Sequence, residues 1–105
     1  MSVTFMAMYP NTPNTEFDFE YYTKQHIPLA KKLWANKLLN VQVVKNAQLS
    51  ESDKKKSDYL VIATFEVTNM DDLHNLIKSH SEQLSNDFPN YTNVKPIIQI
   101  SEVIV

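Results

Sequence analysis

The side chains best suited to acid–base chemistry lie in two separated stretches of this sequence. The first, FEYYTKQHIPLAKKL, places His26 four residues after Tyr22. The second, NDFPNYT, brings Asp87, Asn90 and Tyr91 close together along the chain. Histidine has an ordinary pKa near neutral pH, and a neighbouring phenol or carboxylate can orient it or a ligand. We therefore predict a catalytic acid or base at His26, with Tyr22, Asp87 or Tyr91 orienting it or its ligand.

An amphipathic helix that begins after Asp18 is predicted to carry this histidine. Asp18 suits the cap position because its side chain can accept a hydrogen bond from a free backbone N–H of the first turn. At about 100° per residue, one stripe of the helix collects apolar and aromatic side chains together with the histidine. Its members are Phe19, Tyr22, His26, Leu29, Ala30 and Leu33. His26 is thus either a functional group that faces a cavity or a core histidine bonded to a tyrosine or a backbone group.

Pro28 falls on the outer side of the same predicted helix. A proline inside a helix removes one backbone N–H and clashes with the carbonyl four residues earlier, here that of Lys24, at a cost of about 3 kcal/mol. It also disfavours helical angles at the preceding residue, Ile27. We predict a kink or break around His26 and Ile27, with Pro28 as the first residue of a new helical segment. Such a break would aim the imidazole at a cavity.

A second helix is predicted after a cap at Thr68 or Asn69, with Asp71 and Asp72 near its positive end. Its apolar stripe contains Met70, Leu73, Leu76, Ile77, His80 and Leu84. His80 near the end of this helix suits a structural or capping role, and Trp34 beside the first stripe suits packing. The NDFPNYT loop lies where a helix meets the sheet, which is a common place for ligand contacts.

Four strands are predicted from the alternation of apolar and polar residues, over residues 3–9, 39–49, 58–67 and 95–105. With the two helices they give the order β-α-β-β-α-β, in which a hairpin across residues 50–57 joins two β-α-β units. Right-handed crossovers place both helices on one face of a four-stranded antiparallel sheet. The predicted fold is α+β and ferredoxin-like, with residues 1–105 as a single domain.

The sheet face that no helix covers also carries apolar side chains in this arrangement. Leu60 and Ile62 of the third strand and Met6 and Met8 of the first strand fall on it. A large exposed apolar surface usually marks an interface. We therefore expect a homodimer in which two sheets pack face to face.

Composition excludes several classes of function. The chain has no Cys, no Gly and no Arg, and its formal net charge is −2. Disulfides, thiolate nucleophiles, zinc–sulfur sites and Gly-rich phosphate loops are therefore ruled out, and nucleic acid is not an expected partner. The run 54–56 of three lysines is flanked by acids, which is typical of a solvated loop. A first segment without a charged leader, and no long apolar run, favour a cytoplasmic protein that makes no membrane contact.

The two stretches also resemble the signatures of a known family. FDFEYYTKQHIPL is similar to the first-helix signature of EthD-like proteins, named after ethyl tert-butyl ether degradation. DFPNYTNVKPIIQISEV is similar to their C-terminal signature. The matching positions are Tyr22, His26, Pro28, Leu29, Asp87, Pro89, Asn90, Tyr91, Thr92, Pro96, Gln99, Ser101 and Glu102.

The resemblance implies the dimeric α+β barrel superfamily, which includes cofactor-free monooxygenases, polyketide cyclases and a muconolactone methylisomerase. Several of these hold a cavity between sheet and helices in which a first-helix histidine acts, and His26 is the matching position. We expect a small, flat, apolar or phenolic ligand, no cofactor and no metal. The expected pocket is lined by Met6 or Met8, Tyr22, His26, Phe65, Phe88 and Tyr91, with Asn90 as a further ligand contact.

The predicted activity is proton transfer on an enol or phenol, in a monooxygenase-like oxidoreductase or in an isomerase or cyclase. A ligand carrier that serves an oxygenase and a purely structural dimer are the alternatives. A thiol-dependent isomerase mechanism is not carried over, because the chain has no Cys. Haem binding is disfavoured: His80 could stand for an axial ligand, but the third strand lacks the tryptophan of the haem-degrading relatives.

Overall fold

The computed structural model describes residues 1–50 and 57–105. Four strands, β1 (Val3–Pro10), β2 (Leu38–Lys45), β3 (Tyr59–Val67) and β4 (Ile97–Glu102), form one sheet. The first helix consists of α1 (Phe19–Tyr21), a π turn (Tyr22–His26) and α2 (Ile27–Trp34). The second helix is α3 (Met70–Asn86). Short 3₁₀ turns follow each helix, at Ala35–Lys37 and Phe88–Asn90.

The sheet has the strand order β2-β3-β1-β4, and each neighbouring pair is antiparallel. This arrangement confirms the ferredoxin-like α+β prediction. The register places Phe5 opposite Phe65 on one side and Ile100 on the other. Because directly paired residues share a face, these three side chains lie together under the helices. The predicted hairpin lies mostly outside the described residues, but the antiparallel pairing of β2 with β3 agrees with it.

Two predicted strands are longer than the observed ones. β2 ends at Lys45 rather than at residue 49, and β4 covers only Ile97–Glu102 rather than residues 95–105. Pro96 has no N–H to donate, so the ladder of β4 begins after it. The predicted start and end of β1 and β3 differ from the observed ones by no more than one residue.

The first helix begins at its predicted cap and then accommodates Pro28 in an unexpected way. The Asp18 carboxylate accepts a hydrogen bond from the Tyr21 N–H at 3.0 Å. The Ile27 N–H then bonds to the Tyr22 carbonyl, five residues back, so the turn before the proline is a π turn. Ile27 keeps helical angles (φ −64°, ψ −43°), and the predicted departure from helical angles is therefore wrong. The wider turn shifts the hydrogen-bond register instead of breaking the helix.

The core lies between the helices and the sheet. Trp34 illustrates its packing, since its ring lies 5.9 Å from that of Phe5 and 5.2 Å from that of Phe65. The buried apolar residues are Val3, Ala7, Tyr9, Tyr22, Ile27, Ala30, Trp34, Val61, Ala63, Phe65, Val67, Leu73, Leu76 and Tyr91. The predicted stripe of the first helix is therefore the face that packs on the sheet.

No helix of the described chain covers the other face of the sheet. Met6, Met8, Leu60 and Ile62 are half-buried on it, and Ile97 is 48% exposed. No helix in residues 1–50 or 57–105 has both the length and the apolar character needed to cross a membrane.

Candidate functional site

A cavity of about 660 Å³ lies between the two helices and the β1–β4 side of the sheet. Most of its wall is aromatic or aliphatic, with a few polar groups. The lining residues are Phe5, Ala7, Tyr9, Tyr22, His26, Ala30, Trp34, Phe65, Leu76, Ile77, Ser81, Leu84, Ser85, Phe88, Lys95, Pro96, Ile98 and Ile100. Its size and apolar character suit a small organic ligand.

The π turn places Tyr22 and His26 on the inner side of the first helix. Their exposed fractions are only 1% and 6%, whereas Pro28 is exposed on the outer side. The rings of Tyr22 and His26 stack nearly in parallel, with centroids 5.4 Å apart. The imidazole is therefore held by a neighbour on its own helix while it contributes to the cavity wall.

The loop that follows α3 brings a carboxylate to the same histidine. Asp87 ends α3, and the chain then folds into the 3₁₀ turn Phe88–Asn90. The Tyr91 carbonyl accepts a hydrogen bond from the Asp18 N–H at 2.7 Å, which ties this loop to the start of the first helix. The Thr92 hydroxyl donates to the Glu16 carbonyl at 2.8 Å and strengthens the same connection. Two segments that are distant in sequence are thus fixed side by side.

Asp87 meets His26 directly and accepts hydrogen bonds from three side chains. Its Oδ2 lies 2.9 Å from His26 Nδ1, and its Oδ1 accepts hydrogen bonds from the Tyr21 hydroxyl at 2.6 Å and the Asn90 amide at 2.8 Å. Burial alone would raise the pKa of Asp87, but the hydrogen bonds from Tyr21, Asn90 and His26 outweigh it and hold the pKa below its ordinary value. A charged Asp87 only accepts hydrogen bonds, so we assign the proton of neutral His26 to Nδ1.

His26 is a neutral base at pH 7. Burial lowers the pKa of His26 below its ordinary value of 6.5, although the hydrogen bond and charge of Asp87 act in the opposite direction. With Nδ1 donating to Asp87, the lone pair of Nε2 is left as the acceptor. This tautomer is the one that a general base requires at Nε2.

A buried tyrosine pair lies beyond Nε2. The Tyr91 hydroxyl lies 3.4 Å from His26 Nε2 and 2.7 Å from the Tyr9 hydroxyl. The first distance is long for a hydrogen bond and the second is ordinary for one between two hydroxyl groups, so the two tyrosines hold each other more firmly than they hold the histidine. Burial raises the pKa of Tyr9, of Tyr22 and of Tyr91 well above the ordinary phenol value. All three phenols are neutral hydrogen-bonding groups.

The structure brings most of the sequence-predicted site residues to one place, in two layers. His26, Tyr22, Phe65 and Phe88 line the cavity. Three further predicted residues do not line the cavity wall: Asp87 and Tyr91 contact the imidazole, and Asn90 holds Asp87.

The placement of Met6 and Met8 in the pocket is wrong. They alternate along β1 with Phe5, Ala7 and Tyr9, which face the helices and line the cavity. Since successive side chains of a strand point to opposite faces, the two methionines lie on the uncovered face of the sheet.

Several residues of the site, including the following four, were not predicted to belong to it. Tyr21 binds Asp87 and Tyr9 binds Tyr91, while Trp34 and Lys95 line the cavity. Tyr9 was detectable, because it shares the inner face of β1. Tyr21 lies off the helical stripe, and only the fold of the distant Asp87 loop brings it a partner. No group of three or more His, Asp or Glu side chains suited to a metal occurs among the described residues.

The fold and this cavity define a ferredoxin-like chain of the dimeric α+β barrel class. Residues 11–94 match the family model of the EthD domain. The chain therefore belongs to the EthD family, as the two sequence signatures indicate.

Solved structures agree with this assignment. An EthD-like protein from Ralstonia eutropha JMP134 is 27% identical with a TM-score of 0.89, over 99% of this chain and 93% of that chain. An ethyl tert-butyl ether degradation (EthD) family protein from Bacillus halodurans C-125 is 17% identical with a TM-score of 0.68, over 99% and 100% of the two chains. SnoaB, a cofactor-independent oxygenase from Streptomyces nogalater, shares the fold at 6% identity and a TM-score of 0.64, over 99% and 94%. No curated protein matches the sequence significantly.

Proposed function

We propose that this protein binds a small, flat, apolar or phenolic molecule in the cavity and transfers a proton to or from it with His26. One observation carries the proposal: the imidazole forms part of an apolar cavity wall while its Nδ1 is held at 2.9 Å by a charged Asp87. A carboxylate on the far nitrogen fixes the tautomer and stabilises the imidazolium that forms on protonation. A purely structural histidine needs no such cavity beside it.

The proposed step is removal of a proton from an enol, a phenol or an acidic C–H group of the ligand by Nε2. The proton is then held on Nε2, and Asp87 balances the positive charge of the imidazolium. Tyr22, whose neutral phenol lines the cavity beside His26, can donate to the ligand oxygen once the ligand approaches. The apolar wall strengthens both interactions by excluding water.

Two outcomes of that step suit the site. In an oxygenation, the ligand carbanion reacts with O₂, a CH₂ group becomes a C=O group, and one water leaves. In an isomerisation or cyclisation, His26 returns the proton to another atom of the ligand and no oxidant is needed. The fold shared with a cofactor-independent oxygenase supports the oxygenation route.

Carriage of a hydrophobic compound without chemistry is the second candidate. It is favoured by the Tyr91 hydroxyl, which lies 3.4 Å from Nε2 and can donate to the lone pair that a base would use. A carrier needs only the apolar cavity, and its histidine would orient the ligand.

We also propose that the protein is a homodimer built through the uncovered sheet face. Met6, Met8, Leu60 and Ile62 supply its apolar centre, and Ile97 extends it to the edge strand. Burial of this surface, at about 25 cal/mol per Å² of apolar area, supports the association. Sedimentation at micromolar concentration should show a dimer, and a stable monomer would contradict this.

Turnover of a flat carbon acid tests the proposed chemistry. Anthrone is a suitable probe, because loss of a proton from its CH₂ group and reaction with one O₂ give anthraquinone and one water. We expect anthrone oxidation above the background rate, and His26→Ala should reduce it by about 10²- to 10⁴-fold while changing anthrone affinity much less. His74→Ala, at an exposed position on α3, is the matched control.

The candidates give different results in this assay. Binding without turnover by the wild-type protein, for anthrone and for enol and phenol probes alike, would favour the carrier. Turnover that survives His26→Ala unchanged would remove the histidine from the chemistry.

A further inference from the structure

A single lysine lies at the rim of the cavity. Lys95 lines it immediately before Pro96 and the start of β4, and it is exposed to water. Ser81 and Ser85 of α3 line the same cavity and are four residues apart, so they share one side of the helix. The rim therefore carries a cation and two hydroxyl groups, whereas the interior is formed by aromatic and aliphatic side chains.

The charge of the cavity lining differs from that of the whole chain. The chain carries 12 acidic residues against 10 basic ones, yet the lining contains the cation Lys95, a neutral His26 and, among the described residues, no Asp or Glu. Asp87, the carboxylate beside His26, is turned away from the lining toward His26, Tyr21 and Asn90. The lining thus favours negative charge on a ligand.

Lys95 is also free to meet such a ligand. Two other lysines have acidic partners: Lys24 lies 3.3 Å from Glu20, and Lys37 lies 3.6 Å from Asp72. Within the described residues, Lys95 has neither an ion pair nor a hydrogen bond. The Ser85 hydroxyl donates to the Glu82 carbonyl at 3.1 Å, which leaves the Ser81 hydroxyl as the second donor at the rim.

The position of the charge at the rim decides how a ligand would lie. An ionised group costs much free energy inside an apolar cavity but little at its opening, where water still solvates it. A lysine can pack its methylene stem on the apolar wall and keep its ammonium group in water. Pro96 restricts the backbone of Lys95 to extended angles, which limits where the stem can begin.

We propose that the ligand of this cavity is an amphipathic aromatic anion. Its flat apolar body lies against the interior near His26 and Trp34, and its carboxylate or similar anionic group lies at the rim, held by Lys95 and Ser81. This inference rests on the proposed ligand-binding function and adds the chemical class of the ligand. Lys95 is then a specificity-determining residue that takes no part in the proton transfer.

Two dyes that differ in one charged group test the proposal. 8-Anilinonaphthalene-1-sulfonate is a flat aromatic anion, and N-phenyl-1-naphthylamine is the same skeleton without the sulfonate. Fluorescence titration should show tighter binding of the anion. Lys95→Glu should weaken binding of the anionic dye by about five- to tenfold, because an attraction is replaced by a repulsion at a water-exposed site. Binding of the neutral dye should change less than about twofold.

Two control variants locate the effect. Lys78→Glu makes the same charge change at an exposed position of α3 outside the cavity, and it should leave both affinities nearly unchanged. Leu84→Trp narrows the cavity and should weaken both dyes. Circular dichroism and thermal unfolding of each variant verify that it is folded.

The outcomes separate this inference from the proposed function. If neither dye binds, the ligand-binding function itself is contradicted. A second outcome is that both dyes bind equally, that Leu84→Trp weakens both and that Lys95→Glu changes neither. Ligand binding in the cavity is then supported, and the proposed anionic class of ligand is wrong. The inference is also overturned if Lys78→Glu weakens binding of the anionic dye as strongly as Lys95→Glu does. It is overturned as well if Leu84→Trp leaves the affinity of the anionic dye unchanged, because the dye then binds outside the cavity.

Discussion

The two helices cover the same sheet but differ in regularity. α3 runs for 17 residues, from an Asn69 cap to Asp87, as an uninterrupted α-helix. The first helix contains a π turn at Tyr22–His26 and ends at Ala35, whose φ of 49° is unusual for a residue with a side chain. The buried imidazole comes from the irregular helix and the carboxylate that holds it comes from the end of the regular one. The irregular turn thus presents the buried ring, while the regular helix delivers the carboxylate that fixes it.

Stability should depend most strongly on the junction between the two helices, where Asp87 at the end of α3 contacts His26 of the first helix. Asp87→Ala removes the acceptor of three hydrogen bonds and leaves the buried Nδ1–H of His26 without this partner. We expect the free energy of unfolding to fall by about 1–3 kcal/mol, measured by urea denaturation. Glu82→Ala, an exposed position of α3, should change it much less. Equal effects of the two variants would show that the junction has no special importance.

The buried histidine should make stability depend on pH in one window. Because the pKa of folded His26 is lowered from 6.5, the unfolded chain takes up this proton first as the pH falls. Stability should therefore decrease as the pH drops from about 6.5 toward the folded pKa, by no more than about 1.4 kcal/mol per pH unit. His26→Gln should remove this contribution, and His74→Gln should retain it. Denaturation at a series of pH values measures both, and an identical profile for wild type and His26→Gln would contradict the assignment.

The end of the first helix should show the smallest of these effects. Ala35 has a φ of 49° and a ψ of −130°, a region that glycine adopts without the clash of a Cβ atom. Ala35→Gly should raise the free energy of unfolding by about 1 kcal/mol. The control is Ala47→Gly in the loop after β2, where φ is not positive, and it should bring no gain. Thermal unfolding of both variants decides whether Ala35 is strained.

The sequence predicts the fold well because the signals that specify it are local. The inner face of β1, the stripe around His26 and the caps at Asp18 and Asn69 follow from alternation, helical periodicity and side-chain hydrogen bonding. The structure confirms both caps. The position of the irregularity in the first helix was also predicted from Pro28.

The site is less predictable because its partners are distant in sequence. The contact between His26 and Asp87 spans 61 residues and that between Tyr9 and Tyr91 spans 82. Pro28 signals a disturbance but does not specify a π turn, because a kink, a break or a wide turn can each accommodate the missing N–H of proline. The strand pattern of β1 contained the information that excludes Met6 and Met8 from the cavity, because its other face holds Phe5.

The protonation state of His26 is the most direct test of the proposed chemistry. Nitrogen-15 NMR of the histidine side chains, followed through a pH titration, measures both the tautomer and the pKa of the ring. We predict that neutral His26 carries its proton on Nδ1 and that the pKa of His26 lies below 6.5. A proton on Nε2 of the neutral ring would contradict the account, because Nε2 would then have no lone pair to accept a proton from a ligand. A pKa above 6.5 would contradict it as well, because burial would then not keep the imidazole in its basic form.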